Sequence, residues 1–266
     1  MIPFQRRERI LEILNTSEEV VFIDELVSAV GVSSSTVRRD VNALVEEGEV
    51  VALRGGAVKI NDRVSELPAT AKALINKDAK RTIAAEAAKL VQDGDVIYVD
   101  SGTTTLQLLP YLKSVRVKIV TSNTSVLGMP EATLGRIILL GGDYLPDLGS
   151  IVGPMTEREL ADLYFDSAFI GANGCSRESG ISTFDMREAT KKRLAHERSR
   201  ESYVLLDQTK FGKSAFCKAL ELDQSTIITD AYDEILESAK GYRIARDPSA
   251  SDGVDAAPAE DQVPLH

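Results

Sequence analysis

The stretch G-V-S-S-S-T-V-R-R-D-V-N-A-L, residues 31–44, decides the fold of the first part of this chain. Gly31 supplies the permissive backbone of a tight turn, and Ser33 is a favoured N-cap for a helix that follows. The apolar residues after it recur at helical spacing and predict one buried face. These residues are Val37, Val41, Leu44 and Val45. Polar residues, including the adjacent pair Arg38 and Arg39, lie off that face.

Short helices and strands flank this stretch in an informative order. Residues 6–14 and 24–30 read as two helices, with Asp24 as the cap of the second. Residues 50–54 and 57–60 read as two strands joined across a Gly-Gly turn. Three helices followed by a hairpin form the winged helix-turn-helix pattern, in which the third helix enters the major groove of DNA. The alternative is a small helical domain with a solvated charge pair.

The winged pattern predicts a set of DNA contacts. These are Ser34, Ser35, Thr36, Arg38, Arg39, Asn42 and, as the phosphate contact of the wing, Arg54. The charge balance argues against strong nonspecific binding, because the chain carries −10 and residues 1–60 hold seven Lys/Arg and ten Asp/Glu, a net −3. The cations of this part instead fall where DNA would lie. They are Arg6, Arg7, Arg9, Arg38, Arg39, Arg54 and Lys59.

A local basic stripe on an acidic protein predicts paired binding heads, and therefore a homodimer or homotetramer on double-stranded operator DNA. At 266 residues the chain is long enough for roughly two domains. No apolar run reaches the length of a membrane span and the N-terminus has no signal-peptide core, so we expect a cytoplasmic protein. Cys175 and Cys217 lack metal-ligand spacing, which is typical of buried thiols in a reducing compartment.

Beyond residue 78, predicted helices and apolar strands alternate. Strands are expected at 95–99, 115–120, 136–140, 168–171, 203–206 and 226–229. This alternation indicates an α/β domain doubly wound around a largely parallel sheet. The predicted organisation is a small winged helix-turn-helix domain at 1–60, a linker at 61–77, the α/β main domain at 78–246, and an acidic disordered tail at 247–266.

Small, hydroxylic and charged residues follow most of the predicted strands. In an open parallel sheet the carboxyl ends of the strands share one edge, where ligands bind. In the loop D-S-G-T-T-T at 100–105, Gly102 allows close approach and the threonines open a helix, which is the composition of a phosphate cradle. Capping of that helix by the same hydroxyls is the alternative. No Gly-Lys-Ser/Thr follows, so nucleotide hydrolysis is not expected.

Charged residues near the strand ends complete the predicted site. Lys210, just past a strand, and Lys80, near a helix start, have the charge that a phosphate needs, although Lys80 reads equally well as a surface residue. Asp100 and Asp207 are placed to accept sugar hydroxyls, or alternatively to cap turns. The sequence therefore predicts a site for a polar, phosphorylated small molecule.

The motifs of both parts resemble one family. R-x-x-x-I-L at 6–11, E-L-x-x-x-x-G-V-S-x-x-T-V-R-R-D-V-x-x-L at 25–44 and R-G-G-A at 54–57 resemble bacterial DeoR-type transcriptional repressors, although the histidine frequent in the family's wing is missing. D-S-G-T-T-T at 100–105, T-S-N at 121–123, G-G at 141–142, F-I-G-A-N-G at 169–174 and D-Q-T-K-F-G at 207–212 resemble the family's sensing domain, which is similar in fold to sugar-phosphate isomerases and CoA transferases.

The resemblance implies a repressor of sugar uptake and metabolism genes, such as phosphotransferase system genes, that a phosphorylated sugar releases from its operator. Together with the strand-end analysis it gives a set of expected effector contacts. These are Lys80, Asp100, Ser101, Gly102, Thr103, Thr104, Thr105, Thr121, Ser122, Asn123, Gly141, Gly142, Asn173, Asp207 and Lys210.

The alternative function is an isomerase-like sugar-phosphate enzyme fused to a DNA-binding head. Aldose-ketose isomerisation needs a carboxylate that moves a proton between adjacent carbons. The related isomerases carry acidic residues after the Gly-Ala strand end, whereas Asn173 stands there in this chain. Glu178 and Glu188 are the remaining candidates for a base. We expect no enzyme, no cofactor and no metal site.

Overall fold

The computed structural model describes residues 2–17, 20–46, 50–53, 55–60, 67–129 and 133–246. Arg54, the predicted phosphate contact of the wing, lies outside these residues. Residues 61–66 of the predicted linker and the predicted tail at 247–266 also lie outside them. Within the described ranges, none of the helices has the length and apolar character needed to cross a membrane.

The first part of the chain combines three helices with three short strands. In chain order these are α1 Pro3–Thr16, β1 Val21–Phe22, α2 Ile23–Val30, α3 Ser34–Glu46, β2 Val50–Ala52 and β3 Ala57–Ile60. β3 pairs antiparallel with both β2 and β1. The predicted winged helix-turn-helix fold is confirmed, with β1 as a strand that the sequence analysis did not predict.

The turn before α3 forms as its residues dictate. Gly31 ends α2 in the left-handed region at φ 72°, and its amide donates to the Val27 carbonyl. The Ser33 hydroxyl accepts the amide of Thr36 at 3.3 Å, so the predicted N-cap is confirmed. The predicted cap of α2 is wrong, because the helix begins one residue earlier and its backbone is capped by Glu25, which accepts the Phe22 amide at 2.9 Å.

α3 buries a narrower face than predicted. Val37, Val41 and Leu44 are buried in the core of this part, whereas Val45 is 39 % exposed. Val45 lies about 100° around the helix from Leu44, which turns it away from α1 and α2. The buried margin of α3 carries Asp40 instead, whose carboxylate accepts two bonds from the Arg6 guanidinium and joins α1 to α3.

The second part is built on a parallel sheet. Its strands are β4 Val96–Val99, β5 Lys118–Thr121, β6 Arg136–Leu139, β7 Asp143–Leu145, β8 Ser150–Val152, β9 Phe165–Gly171, β10 Gly174–Ser176, β11 Gly180–Thr183, β12 Ser199–Leu205, β13 Cys217–Leu220, β14 Thr226–Thr229 and β15 Gly241–Ile244. Its helices are α4 Ala69–Lys72, α5 Lys77–Ala88, α6 Thr103–Leu106, α7 Pro154–Ala161 and α8 Met186–Glu197. Each of the six predicted strands is present, and six further strands were not predicted, namely β7, β8, β10, β11, β13 and β15.

Seven strands form the main sheet in the order β15-β14-β12-β9-β4-β5-β6, and every neighbouring pair is parallel. The chain therefore builds outward from β4 through β5 to β6, and then crosses back to place β9 on the other side of β4. This reversal leaves a crevice at the carboxyl ends of β4 and β9, the position at which open α/β sheets bind ligands.

Apolar layers cover both faces of this sheet, as the predicted doubly wound fold requires. Ile97 and Val99 of β4 pack with α5, while Tyr98 between them packs with α7 and α8. The helices predicted between successive strands are only partly present. After β4 the described connection holds the single turn of α6 and a 3-10 turn at Leu109–Leu112. Of the two cysteines, Cys175 is buried as predicted but Cys217 is only half-buried.

Candidate functional site

One face of α3 carries polar residues that point into solvent. Four exposed residues follow the i, i+3, i+4, i+7 spacing of a single helical face. They are Ser35, Arg38, Arg39 and Asn42. Ser34 and Thr36, also predicted to contact DNA, are half-buried, and the Thr36 hydroxyl lies 2.8 Å from that of Ser33.

Some cations of the predicted basic stripe are paired with carboxylates of the same part of the chain. Arg6 is paired with Asp40, and Arg9 lies 2.7 Å from Glu12, so both charges are balanced within α1 and α3. Arg38 and Arg39 have no ion-pair partner in the part of the chain that the structure describes. Two adjacent exposed cations of this part therefore lie on the exposed face of α3, and Lys59 on β3 is exposed as well.

The crevice between β4 and β9 opens into a cavity of about 320 Å³, which suits one small ligand. The loops after the two strands approach closely there, because a Cβ added at Gly102 would lie 3.5 Å from the Cα of Gly171. Eight of the predicted effector residues line this cavity. They are Lys80, Ser101, Gly102, Thr103, Thr104, Asn173, Asp207 and Lys210. Lys72, Glu188, Lys192 and Lys213 line it as well.

One group of charges, which we call the lysine cluster, consists of Lys72, Lys80, Asp207 and Lys210. Lys80 is buried, contrary to the surface role considered for it, and its amine donates to the backbone carbonyl of Lys72. Burial lowers the pKa of Lys80 to about 8, although the nearby carboxylate of Asp207 opposes this effect. A protonated lysine held at such a site would be stabilised by an anionic ligand.

Asp207 has the turn-capping role considered for it and also the position of a site residue. Its carboxylate accepts the amide of Thr209 at 3.1 Å and the side-chain amide of Asn76 at 3.2 Å. Burial opposes its ionisation, but Lys210, Thr209 and Lys80 together lower the pKa of Asp207 below its ordinary value. The carboxylate is therefore charged and attracts Lys210 and Lys80 electrostatically.

A second group, the α8 cluster, consists of Asp100, Glu188, Lys191 and Lys192, all at most 4 % exposed. Glu188 accepts from Ser150 at 2.6 Å, from Lys191 at 2.8 Å and from Ser101 at 2.9 Å. Lys192 is ion-paired with Asp100, whose carboxylate also accepts the Gly171 amide at 3.0 Å. Burial opposes ionisation of Glu188, but Lys191 and Lys192 lower its pKa to about 2.

Sequence reasoning missed the two lysines of the α8 cluster. Glu188 was considered only as a substitute base, and the charged helix gave no amphipathic pattern to show which face is buried. The available signal was the spacing of Glu188, Lys191 and Lys192 at i, i+3 and i+4, which places three ionic residues on one face. Ala189 and Ala195, both buried, mark the same side of α8 as facing the sheet.

Seven predicted effector residues do not line this cavity. Asp100 is completely buried beneath it and holds Lys192, and Thr105 is buried with its hydroxyl donating to the carbonyls of Asp100 and Gly102. Thr121 and Ser122 are also buried, and the Thr121 hydroxyl accepts the amide of Asn123 at 3.0 Å. The predicted phosphate cradle is correspondingly reduced to Gly102, Thr103 and Thr104, at the start of a helix of one turn.

The other displaced residues lie farther from β9. Asn123 donates to the Ser101 carbonyl at 3.2 Å and faces a different cavity. Gly141 and Gly142 follow the edge strand β6 and contact α7, where the Gly141 amide donates to Glu159 at 2.9 Å. In the described ranges, no group of three or more His, Cys, Asp or Glu side chains is arranged to hold a metal ion.

Family models match both parts of the chain. The model of the DeoR-like helix-turn-helix domain matches residues 6–63, and the model of the DeoR C terminal sensor domain matches residues 75–231. A winged helix-turn-helix domain joined to a doubly wound α/β domain defines a class of DNA-binding regulators with a sensing domain. The chain belongs to the DeoR family of transcriptional regulators.

Curated relatives span almost the whole chain. It is 34 % identical over 238 residues to an HTH-type transcriptional regulator, FruR, of Bacillus subtilis, covering 88 % of this chain and 94 % of that protein. It is 33 % identical over 232 residues to the lactose phosphotransferase system repressor of Lactococcus lactis, covering 85 % and 90 %. Since the relatives are named as regulators, the isomerase alternative is not supported and the chain is a regulator rather than an enzyme.

Solved structures similar in fold include two different classes. A ribose 5-phosphate isomerase from Methanocaldococcus jannaschii matches with a TM-score of 0.38 and 21 % identity, over 51 % of this chain and 55 % of that one. A Pyrococcus horikoshii translation initiation factor eIF-2B matches with a TM-score of 0.38 and 14 % identity, over 80 % and 71 %. Both TM-scores are below 0.5, so neither likeness bears on the function of this chain.

Proposed function

We propose that this chain is a repressor of sugar uptake or metabolism genes, such as phosphotransferase system genes, and that a phosphorylated sugar bound in the β4/β9 cavity releases it from operator DNA. The observation that carries this proposal is the lysine cluster at a ligand-sized cavity on the topological switch point of the sheet. A relative named as a lactose phosphotransferase system repressor supports the sugar class.

The proposal divides the chain into a DNA-binding head at 1–60, a linker at 61–77, a sensing domain at 78–246 and a tail at 247–266. In the head, the exposed face of α3 contacts DNA through Ser35, Arg38, Arg39 and Asn42, with Ser34 and Thr36 beside them. Arg54 of the wing is proposed as a phosphate contact. One head makes few base contacts, so the protein acts as a homodimer or homotetramer in the cytoplasm, on paired half-sites.

The described end of the linker contacts both the DNA-binding head and the cavity. Leu67 packs against the hydrophobic core of the head and also lines the cavity, and Lys72 on α4 lines the cavity while its carbonyl accepts from Lys80. A ligand that engages the lysine cluster therefore acts on the segment that leads to α1 and α3. By linkage, ligand and DNA weaken each other's binding by the same factor.

The experiment that tests this proposal is a thermal-shift screen against phosphorylated and unphosphorylated sugars. Hits are then added to the protein bound to a DNA fragment that the wild-type protein selects from a random-sequence pool. A sugar phosphate that both stabilises the protein and releases the fragment supports the proposal. If no phosphorylated sugar does either, the cavity does not have the proposed role.

We expect Lys210→Met to weaken binding of the sugar phosphate found in that screen by roughly ten- to hundredfold. Hydrogen bonds to charged groups contribute about 1.5–3 kcal/mol each, and methionine keeps the length of the side chain without its charge. Isothermal titration measures the change. Lys113→Met is the matched control, because Lys113 is exposed and does not line the cavity. Equal affinities for the two variants would contradict this role.

We also expect the affinity for a sugar phosphate to fall as the pH rises above about 8. The pKa of Lys80 is about 8, and only its protonated amine attracts the phosphate. Below about pH 6 the affinity falls as well, because the phosphate loses its second negative charge. Lys72, Asp207 and Lys210 also face Lys80, and their charges set the maximum affinity that the protein reaches between these two pH limits. The affinity of the Lys80→Met variant for the sugar phosphate, measured over the same pH range, should not fall near pH 8. If the variant shows the same pH dependence as the wild-type protein, Lys80 is not the group responsible.

A further inference from the structure

The two charged groups at the cavity differ in net charge and are electrostatically separate. The lysine cluster contains three lysines and one aspartate, a formal excess of positive charge, whereas the α8 cluster pairs two lysines with two carboxylates. The charges that shift the pKa of Lys80 come from the lysine cluster alone. Those that lower the pKa of Glu188 come from Lys191 and Lys192. The cavity thus has a cationic side and a neutral side.

The charges on the neutral side are already paired with one another. Glu188 is held by Ser150, Lys191 and Ser101, and Lys192 by Asp100. A second anion placed there would compete with buried carboxylates for the same two lysines, at a large desolvation cost. A hydroxyl group, in contrast, can donate to a carboxylate and accept from an amine or a hydroxyl without adding charge.

The residues around the α8 cluster extend this neutral, polar lining. Ser101 is half-buried, and its hydroxyl both donates to Glu188 at 2.9 Å and lies 3.4 Å from the amine of Lys191. Asn173 accepts from the Thr183 hydroxyl at 2.8 Å, and both residues line the cavity. Hydroxyl and amide groups arranged beside ionised, paired carboxylates match a polyhydroxylated ligand.

We propose that the cavity holds its ligand in one orientation, with a single phosphate on the lysine cluster and the hydroxyl-bearing end against Glu188 and Lys192, which decide which sugar monophosphate binds. This inference rests on the proposed function and adds to it the polarity of the ligand and two specificity-determining residues. It requires a monophosphate with free hydroxyls at the end opposite the phosphate. Bisphosphates, which would place a second dianion on the α8 cluster, are rejected.

The test compares four probes on the full-length protein by isothermal titration. They are inorganic phosphate, a hexose 6-phosphate, the corresponding hexitol 6-phosphate and the corresponding hexose 1,6-bisphosphate. The wild-type protein should bind at least one 6-phosphate at least tenfold more tightly than both inorganic phosphate and the bisphosphate. If the bisphosphate binds as tightly as the 6-phosphates, the orientation is wrong while the proposed function stands. If none of the phosphorylated sugars binds, both fail.

Variants separate the two sides of the cavity. Glu188→Gln keeps the shape of the side chain but leaves the α8 cluster with one net positive charge, so the preference for monophosphate over bisphosphate should fall at least tenfold. Lys210→Met should weaken all four probes and leave that preference within about twofold. A purely structural role of Glu188 would lower binding of every probe equally, and that outcome would overturn the inference.

A milder variant keeps the inference testable if Glu188→Gln does not fold. Ser101→Ala removes one hydroxyl from the neutral side without changing charge. It should weaken the best 6-phosphate roughly three- to tenfold, as expected for one neutral hydrogen bond, and leave inorganic phosphate unchanged. If Ser101→Ala lowers the affinities for the 6-phosphate and for inorganic phosphate equally, the phosphate binds on the neutral side of the cavity, and the inference is overturned.

Discussion

Replacing both Arg38 and Arg39 with alanine is expected to abolish measurable operator binding at physiological salt. The two guanidinium groups project from the exposed face of α3 and have no ion-pair partner in the described ranges. An arginine that reads a guanine contributes about 1–3 kcal/mol of discrimination, so loss of both weakens binding by roughly two to four orders of magnitude. Fluorescence anisotropy with the selected DNA fragment measures the loss.

The single variants identify what each arginine does. If Arg38→Ala weakens the selected fragment much more than random DNA, Arg38 reads a base, and comparable losses on both would limit it to phosphate contact. Arg136→Ala, at an exposed position on β6 in the other part of the chain, removes the same charge and should leave DNA binding within about twofold. Normal operator binding by the double variant would refute the assignment of α3 as the recognition helix.

The second large effect concerns the buried ion pair between Asp100 and Lys192. Asp100→Asn should lower the free energy of unfolding of the sensing domain by about 3 kcal/mol, the lower end of the cost of breaking a buried ion pair. It removes the nearer of the two carboxylates that pair with the buried amine of Lys192 and leaves Glu188, 3.7 Å away, as the remaining partner. The asparagine can still accept the Gly171 amide, so the change isolates the charge. Urea denaturation followed by circular dichroism measures the difference.

Two controls separate burial from pairing as the cause. Glu201→Gln breaks the ion pair between Lys240 and Glu201, whose charged atoms are 2.8 Å apart and whose side chains are both half exposed. This substitution should lower the free energy of unfolding by less than about 1 kcal/mol. Asp100→Asn combined with Lys192→Met removes both charges and should recover part of the lost stability. If Asp100→Asn costs no more than Glu201→Gln, the α8 cluster is not held together by its buried charges.

The pH dependence of unfolding follows from the same cluster. The folded pKa of Glu188, about 2, lies below its ordinary value of 4.5. The stability that Glu188 contributes is therefore fully present above about pH 4.5 and is lost as the pH falls toward 2. Asp207, whose pKa is also lowered, adds to the loss in the same direction.

The three helices and the hairpin of the head could be predicted from the sequence because their signals are local. Gly31, Ser33 and the spacing of Val37, Val41 and Leu44 each act within one turn or one helix, and the structure confirms them. The pairing of Arg6 with Asp40 was not predictable in this way, because it joins residues on different helices. That pairing removed one cation from the predicted basic stripe.

The cavity was predicted only in part, for a topological reason. The sequence places polar residues at the end of each strand, but it does not state which strands are neighbours. Because β9 lies beside β4, the ends of these two strands form the cavity, whereas Gly141 and Gly142 follow β6, two strand spacings or about 10 Å from β4. The ionic face of α8 was missed because charged residues on a helix normally face solvent.

The most direct test of the account is reciprocal linkage between the two sites. Operator affinity is measured with and without a saturating concentration of the sugar phosphate identified by the screen, and affinity for that sugar phosphate is measured with and without operator DNA. We expect each ligand to weaken binding of the other by the same factor, fivefold or more, and Lys210→Met to shift this effect to higher concentrations of the sugar phosphate. Binding of the sugar phosphate with no change in operator affinity would contradict it.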